Sequence, residues 1–256
     1  MLFDTHAHLN DEKLYKRLPE VLDNARQAGL AGIATIGYDW RSSLMSVRLA
    51  EKYPDYVYAV TGIHPHDAST WNDALAEKMY SLAAEPLVRA VGEIGLDYYR
   101  DLSPRDVQQK VFRAQIAMAK ELKKPIAIHD RDSHNDVVRI LREEKAGVNG
   151  GILHCFSGSV EMARDCLNLG FHISFAGPLT FANARIPHEV CAYVPLSETL
   201  VETDCPYLSP HPYRGQVNEP ARVALVAERI AEIKRLPLAE VERITTENAF
   251  RIYNIK

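Results

Sequence analysis

The chain has 256 residues, 46% of them hydrophobic and 25% charged. That composition suits a soluble globular protein, and the length matches the ~250 residues of a (β/α)8 barrel, so one domain is expected. The net charge is −4 and the pI about 6.2, which excludes a strongly basic surface and confines any nucleic-acid contact to a local patch.

The first strand expected is LFDTH (2–6), followed by a helix over 18–28. Its flank MLFDTHAHLN has neither a basic nor an apolar leader region, so no signal peptide is expected. GIATIG (32–37) then leads into a helix at 41–52, YVYAVTG (56–62) into 72–83, and LVRAVGE (87–93) into 103–123. In the last of these helices Ser103 is the expected N-cap, with Pro104 at the first helical position and Asp106 in the first turn. Val111, Ile116, Ala119 and Leu122 fall near one apolar stripe of that helix. PIAIH (125–129) precedes a helix at 134–144, GGILH (150–154) one at 159–168, and FHISF (171–175) one at 184–193. TLVET (199–203) is the eighth strand, and a helical region over 219–254 follows, with Asn218 as its N-cap and Glu219 in its first turn. No run of about 18 apolar residues suggests a membrane span. Cys155, Cys166, Cys191 and Cys205 lack CxxC spacing and read as small buried thiols of a reducing cytoplasm, not as ligands.

Strand and helix alternating eight times imply parallel strands with right-handed crossovers. The expected fold is therefore an α/β (β/α)8 TIM barrel, one domain over 1–256, with an open doubly wound sheet as the alternative. In such a barrel chemistry sits at the C-terminal strand ends. There the sequence places His6 and His8, His64 and His66, Glu93, His129, His154 and Asp204. In His-x-His the two imidazoles share one strand face and can reach one ion. Imidazole with carboxylate suits zinc, manganese, iron or cobalt better than calcium or lone magnesium. An unpaired Glu93 at the end of an apolar run would be costly to bury, and a metal would neutralise it. His64 and His66 read either as contacts to substrate or as structural residues. His134, His172, His188 and His211 read as structural or solvent-exposed.

Seven segments carry a family resemblance: FDTHAHL (3–9), GIHPHD (62–67), GEIGLDYY (92–99), PIAIHDR (125–131), HCFSG (154–158), ETDCPYL (202–208) and RGQVNEP (214–220). In this order, across nearly the whole chain, they resemble the TatD family of metal-dependent deoxyribonucleases within the amidohydrolase-like metal barrels. The resemblance implies a barrel with two divalent ions, zinc, manganese or magnesium. One would be held by His6, His8, Glu93 and Asp204, the other by Glu93, His129 and His154, with Glu93 as the bridge. It also implies a 3′-end exonuclease on single-stranded DNA. Two departures stand out: Gln216 and Val217 replace a basic pair common in the family, and Cys205 replaces a small apolar residue.

Two ions can generate a hydroxide nucleophile and clamp the attacking and leaving oxygens. They bring roughly +4, and Glu93 with Asp204 removes two charges, leaving about +2 to attract an anionic phosphodiester. Glu93 and Asp204 are the expected catalytic carboxylates, Asp204 as the proton shuttle. Arg131 and Arg214 are candidate phosphate contacts, or internal ion-pair partners, for example with Glu219. Tyr98 is a candidate base-stacking residue, whereas Tyr99 and Tyr207 read as loop packing. DNA or another phosphodiester is the expected partner, with no membrane and no obligate protein partner. An amidohydrolase cutting a C–N or ester bond in a small metabolite is the first alternative, and a non-catalytic metal-binding protein the second.

Overall fold

A computed structural model describes residues 1–255. In chain order the elements are β1 Leu2–Ala7, α1 Glu12–Tyr15, α2 Leu18–Gln27, β2 Leu30–Ile36, α3 Trp40–Lys52, β3 Val57–Thr61, α4 Asp73–Ala84, β4 Val88–Asp97, α5 Arg105–Glu121, β5 Ile126–Arg131, α6 His134–Glu143, β6 Gly151–Leu153, α7 Val160–Asn168, β7 Phe171–Phe175, α8 Arg185–Tyr193, β8 Thr199–Val201, α9 Val223–Lys234 and α10 Leu238–Ile252. The eight strands are parallel and lie in sequence order, so the barrel replaces the open-sheet alternative. No helix among the described residues is long and apolar enough to cross a membrane.

Two apolar layers hold the strands. Phe3, Ala34, Ile36, Tyr58, Val60, Ala90, Ala127, Ile152 and Leu200 form one buried cluster. They come from seven of the eight strands, which places them in the barrel interior. Ala249, Ile252 and Tyr253 of the α10 region join that cluster, and the Tyr253 hydroxyl donates to the Thr5 carbonyl at 2.8 Å. The C-terminal helix therefore plugs the N-terminal mouth. A second, larger cluster lies between the strands and the surrounding helices, with Val21, Leu22, Phe112, Ile116, Val137, Leu141, Val226 and Ile230 among its members.

The ring closes differently from the rest of the sheet. β1 and β8 share only an isolated bridge, Ala7 with Cys205. Side chains and loop backbone complete the seam. Thr203 donates its N–H and hydroxyl to the Asp4 carboxyl at 3.0 and 2.6 Å. Thr5 donates to the Val201 carbonyl at 3.0 Å. The Asp204 N–H reaches the His6 carbonyl at 2.8 Å, and the His8 N–H reaches the Cys205 carbonyl at 2.8 Å.

Three local expectations need correction. Ser103 does not cap α5: its hydroxyl donates to the His66 carbonyl at 2.8 Å and accepts the Ser69 N–H at 3.1 Å, and Pro104 occupies the cap position. Asn218 does not cap a helix either. Its amide donates to the Thr203 carbonyl at 2.9 Å, and α9 begins only after a short 3-10 turn at Pro220–Arg222. Both polar side chains tie neighbouring loops together instead of serving their own helix. Finally, β4 continues through Glu93 to Asp97, and β5 continues through His129 to Arg131.

Candidate metal centre

The C-terminal mouth gathers the polar residues that the apolar layers exclude. His6 and His8 come from the end of β1, Glu93 from within β4, His129 from β5, His154 from the residue after β6, and Asp204 from just beyond β8. Asp204 has φ 54°, in the left-handed region that Asp tolerates better than most residues and that recurs at functional sites. His6, His8, Glu93 and His154 are buried.

The two oxygens of Glu93 face different partners. Oε2 lies 3.4 Å from His6 Nε2 and 3.8 Å from His8 Nε2. Asp204 Oδ1 completes this half, 3.7 Å from His6 Nε2 and 3.3 Å from His8 Nε2. Oε1 lies 2.9 Å from His129 Nδ1, 3.0 Å from His154 Nε2 and 3.7 Å from His64 Nε2. Ligand-capable atoms of His6, His8 and Glu93 lie within 4.8 Å of one another, as do those of His64, Glu93 and His129, and those of His6, His154 and Glu202. Glu93 belongs to both of the first two groups.

The ring nitrogens opposite these atoms decide which rings can offer a lone pair. His8 Nδ1 donates to the Ile36 carbonyl at 3.1 Å, leaving Nε2 free for an ion. His154 Nδ1 donates to Glu202 Oε1 at 3.0 Å, again freeing Nε2. His129 Nε2 donates to Asp97 Oδ2 at 3.0 Å, which leaves Nδ1, 2.9 Å from Glu93 Oε1, as the atom turned toward an ion. His6 Nε2 is buried without any hydrogen-bond partner. An orphaned nitrogen beside two carboxylates fits a cation, and so do three rings oriented from behind. His64 differs. Its Nδ1 accepts the His66 N–H at 3.1 Å, so the neutral ring carries its proton on Nε2 and offers a donor, not a ligand atom. Proximity alone groups His64 with Glu93 and His129; the hydrogen bond assigns it the opposite role.

The electrostatics follow from burial and neighbours. Burial pulls the His154 pKa down, but the charges of Glu93 and Glu202 outweigh it and leave the ring well above the ordinary value. His129 and His8 are raised in the same way against burial, by Asp97 and Glu93 and by Asp204 respectively. Burial, reinforced by neighbouring His154 and His129, lowers His6 and His64 respectively. Burial works to raise Glu93, yet the surrounding imidazoles, His154 first, and a hydrogen bond from His129 hold it well below the usual range.

The remaining expected contacts fall in several places. His66 Nε2 is 2.9 Å from Asp97 Oδ2, so only its Nδ1 is left for a substrate. Arg131 is exposed at the end of β5, its guanidinium 4.0 Å from the Tyr99 ring centre. Arg214 is exposed and lies 4.7 Å over Phe181; it does not pair with Glu219, which accepts from Asn24 at 3.1 Å. The Tyr98 hydroxyl donates to Asp136 at 2.7 Å and its ring sits under Arg105 at 4.4 Å. Tyr99 and Tyr207, expected as loop packing, are exposed at 58% and 49%, and Tyr207 still joins two loops through a 3.1 Å hydrogen bond from its hydroxyl to Asp11. All four cysteines are free thiols, and Cys155 is the one not fully buried.

Three residues escaped the sequence reading: Asp97, Glu202 and Asp4, all fully buried. Each stands an even number of positions from a candidate ligand: Asp97 from Glu93, Glu202 from Asp204, Asp4 from His6. The period-two rule for strands was the available signal, and attention to strand-closing residues alone passed over it. Counting Asp97 and Glu202 as carboxylates also corrects the charge balance. Two ions bound there would bring roughly +4 against four acidic groups, and the expected surplus of about +2 would fall to about zero.

A family model described as "TatD related DNase" matches residues 3–254. The chain is 48% identical over 255 residues to YabD, an uncharacterized metal-dependent hydrolase of Bacillus subtilis, covering 100% of both chains. It is 33% identical over 264 residues to the 3'-5' ssDNA/RNA exonuclease TatD of Pectobacterium carotovorum, covering 99% of this chain and 100% of the relative. Among solved structures it is similar to YJJV, a TatD homolog from Escherichia coli, with a TM-score of 0.93, 30% identity, and coverage of 100% and 98%. The chain belongs to the TatD-related DNase family and is a metal-dependent hydrolase of that type.

Proposed function

We propose that this hydrolase cuts phosphodiester bonds with two divalent ions, removing nucleotides from the 3′ end of single-stranded DNA. One observation carries the reading: the Glu93 carboxylate presents Oε2 to the His6, His8 and Asp204 half and Oε1 to the His129 and His154 half. A carboxylate so divided suits a bridge between zinc, manganese or magnesium ions. Such ions, when bound, supply a hydroxide nucleophile at neutral pH and neutralise charge on the phosphoryl oxygens. The exonuclease name of the Pectobacterium relative supports the substrate class.

The residues divide the remaining work. Asp204 sits at the mouth and takes the proton of the attacking water, then returns it to the leaving oxygen. His64 keeps its Nε2–H, 3.7 Å from Glu93 Oε1, as a donor to a phosphoryl oxygen, and burial keeps the ring neutral. Because the acidic groups cancel the charge of the ions, attraction of the DNA backbone falls to Arg131 and Arg214 on the rim. That same cancellation favours a neutral ester or amide as the second reading.

A labelled single-stranded oligonucleotide and a panel of cyclic amides separate the two. The proposal expects mononucleotides released from the 3′ end, loss of release on chelation, and recovery with added manganese or zinc. Amide turnover with intact DNA would establish the second reading. Neither activity, with a melting temperature that falls on chelation, would leave a non-catalytic metal-binding protein.

A further inference from the structure

We infer that Asp97 is a positioning residue that sets the tautomer of His129, and that its chemistry, unlike that of Glu202, does not tolerate the amide. The inference rests on the two-ion reading for its consequence but not for its geometry. His129 and His154 converge on the same oxygen, Glu93 Oε1, through different ring atoms: Nδ1 for His129 and Nε2 for His154. Each choice is enforced from behind by a different buried carboxylate.

The two carboxylates use their oxygens differently. Asp97 Oδ1 accepts the backbone N–H groups of Tyr99 and Arg100 at 3.0 and 2.7 Å. Its Oδ2 faces two ring nitrogens, His129 Nε2 at 3.0 Å and His66 Nε2 at 2.9 Å. A carboxylate accepts only, so both rings must carry a proton on Nε2; His129 Nδ1 in turn faces Glu93 Oε1 at 2.9 Å, and an ion that takes Nδ1 displaces any proton there while the Nε2–H stays on Asp97. Gln108 fixes the Asp97 backbone, its Oε1 accepting the Asp97 N–H at 2.9 Å and its amide reaching the Asp97 carbonyl at 3.2 Å. Glu202 places both of its donors on one oxygen: Oε1 accepts His154 Nδ1–H at 3.0 Å and the Cys155 N–H at 2.8 Å, while Oε2 is buried without a partner.

Amide substitution therefore has opposite results. In Asp97→Asn the two backbone N–H groups hold the amide oxygen at the Oδ1 position and put the NH2 group against the rings. His129 must then accept through Nε2 and carry its proton on Nδ1, where it donates to Glu93 and offers no lone pair to an ion. In Glu202→Gln the oxygen stays beneath the His154 and Cys155 donors and the NH2 group takes the empty side, so the tautomer survives.

The experiment is nitrogen–proton correlation NMR of metal-free, 15N-histidine-labelled protein at alkaline pH, with manganese titration of the same samples. Wild type is expected to show His129 protonated on Nε2 and to bind two ions. Asp97→Asn is expected to show Nδ1–H and to bind the second ion about 10- to 100-fold more weakly. Glu202→Gln should keep His154 protonated on Nδ1 and retain both ions. The inference is overturned if wild-type His129 is Nδ1–H, a result that needs no variant to fold. It is equally overturned if Asp97→Asn keeps wild-type tautomer and affinity, or if Glu202→Gln loses as much as Asp97→Asn. A wild type that binds no manganese would sink the two-ion reading, while its tautomers would still decide this one.

Discussion

The two mouths of the barrel rest on the same eight strands and are filled with opposite chemistry. At the N-terminal mouth Phe3 sits among Tyr58, Phe250 and Tyr253, with ring centres 5.6 to 5.9 Å apart. At the C-terminal mouth, imidazoles and carboxylates take the place of aromatic carbon. The lower end gains from removing apolar surface from water. The upper end buries charged groups that are stabilised only by one another or by a cation. Stability and chemistry are thus separated along the barrel axis, and substitutions at the two ends should be read out by different measurements.

The sharpest break of that comparison is Glu93→Ala. It should lower turnover by about 10³-fold or more, the loss of several kcal/mol of charge stabilisation, and empty both halves of the site. Elemental analysis showing both ions retained with full turnover would refute the bridge. At the opposite mouth Tyr253→Ala should lower stability by about 3–5 kcal/mol, the scale of a truncated buried aromatic, and leave the ion count unchanged. Denaturant melts paired with elemental analysis check this, and a lost ion would show that the two ends are not independent.

Between the mouths lies the β1–β8 seam. Burial pushes the Asp4 carboxyl up to about 8, even though Thr203 and the His6 N–H work against it. It is therefore mostly protonated at neutral pH, and the folded chain holds a proton that the unfolded chain loses near pH 4. The contribution of Asp4 to stability consequently falls as pH rises from about 4 to about 8. Asp4→Asn should cost less than about 1 kcal/mol and flatten that decline, whereas Asp4→Ala, which strips three accepted hydrogen bonds, should cost about 2–3 kcal/mol. Equal losses in urea melts would remove the seam from the account.

Acid acts on the upper mouth as well. His8, His129 and His154 are raised in the metal-free protein, so they hold protons that an ion must displace. Ion affinity should fall as pH falls, and binding near neutrality should release protons. Calorimetry in buffers of different ionisation enthalpy measures the release, and none would contradict histidine ligation. The smallest effect belongs to the rim. Arg214→Ala should raise KM about 3- to 10-fold on an oligonucleotide and leave ion content alone, as suits an exposed contact worth roughly 1 kcal/mol. Unchanged KM would exclude Arg214 from the substrate path.

The strand–helix alternation was plain in the sequence because β-branched runs and amphipathic stretches have different periods, and the barrel followed from counting eight of them. The ligand candidates were legible because His and Glu are conspicuous after apolar runs. What hid was everything that depends on a partner far along the chain. Ser103 looked like a cap because caps are local, yet its hydroxyl serves the loop carrying His66. Asp97 and Glu202 drew no role at all, since nothing in one strand reveals the imidazole of another. The tautomer of His64 rests on a single backbone N–H two residues away, a matter of loop geometry that composition and period do not encode.

The central claim is that Glu93 joins two cation sites, and anomalous diffraction from crystals grown with manganese addresses it most directly. Two peaks flanking the Glu93 carboxylate, one beside His6, His8 and Asp204 and the other beside His129 and His154, are the predicted result. A single peak, or peaks that avoid Glu93, would contradict it.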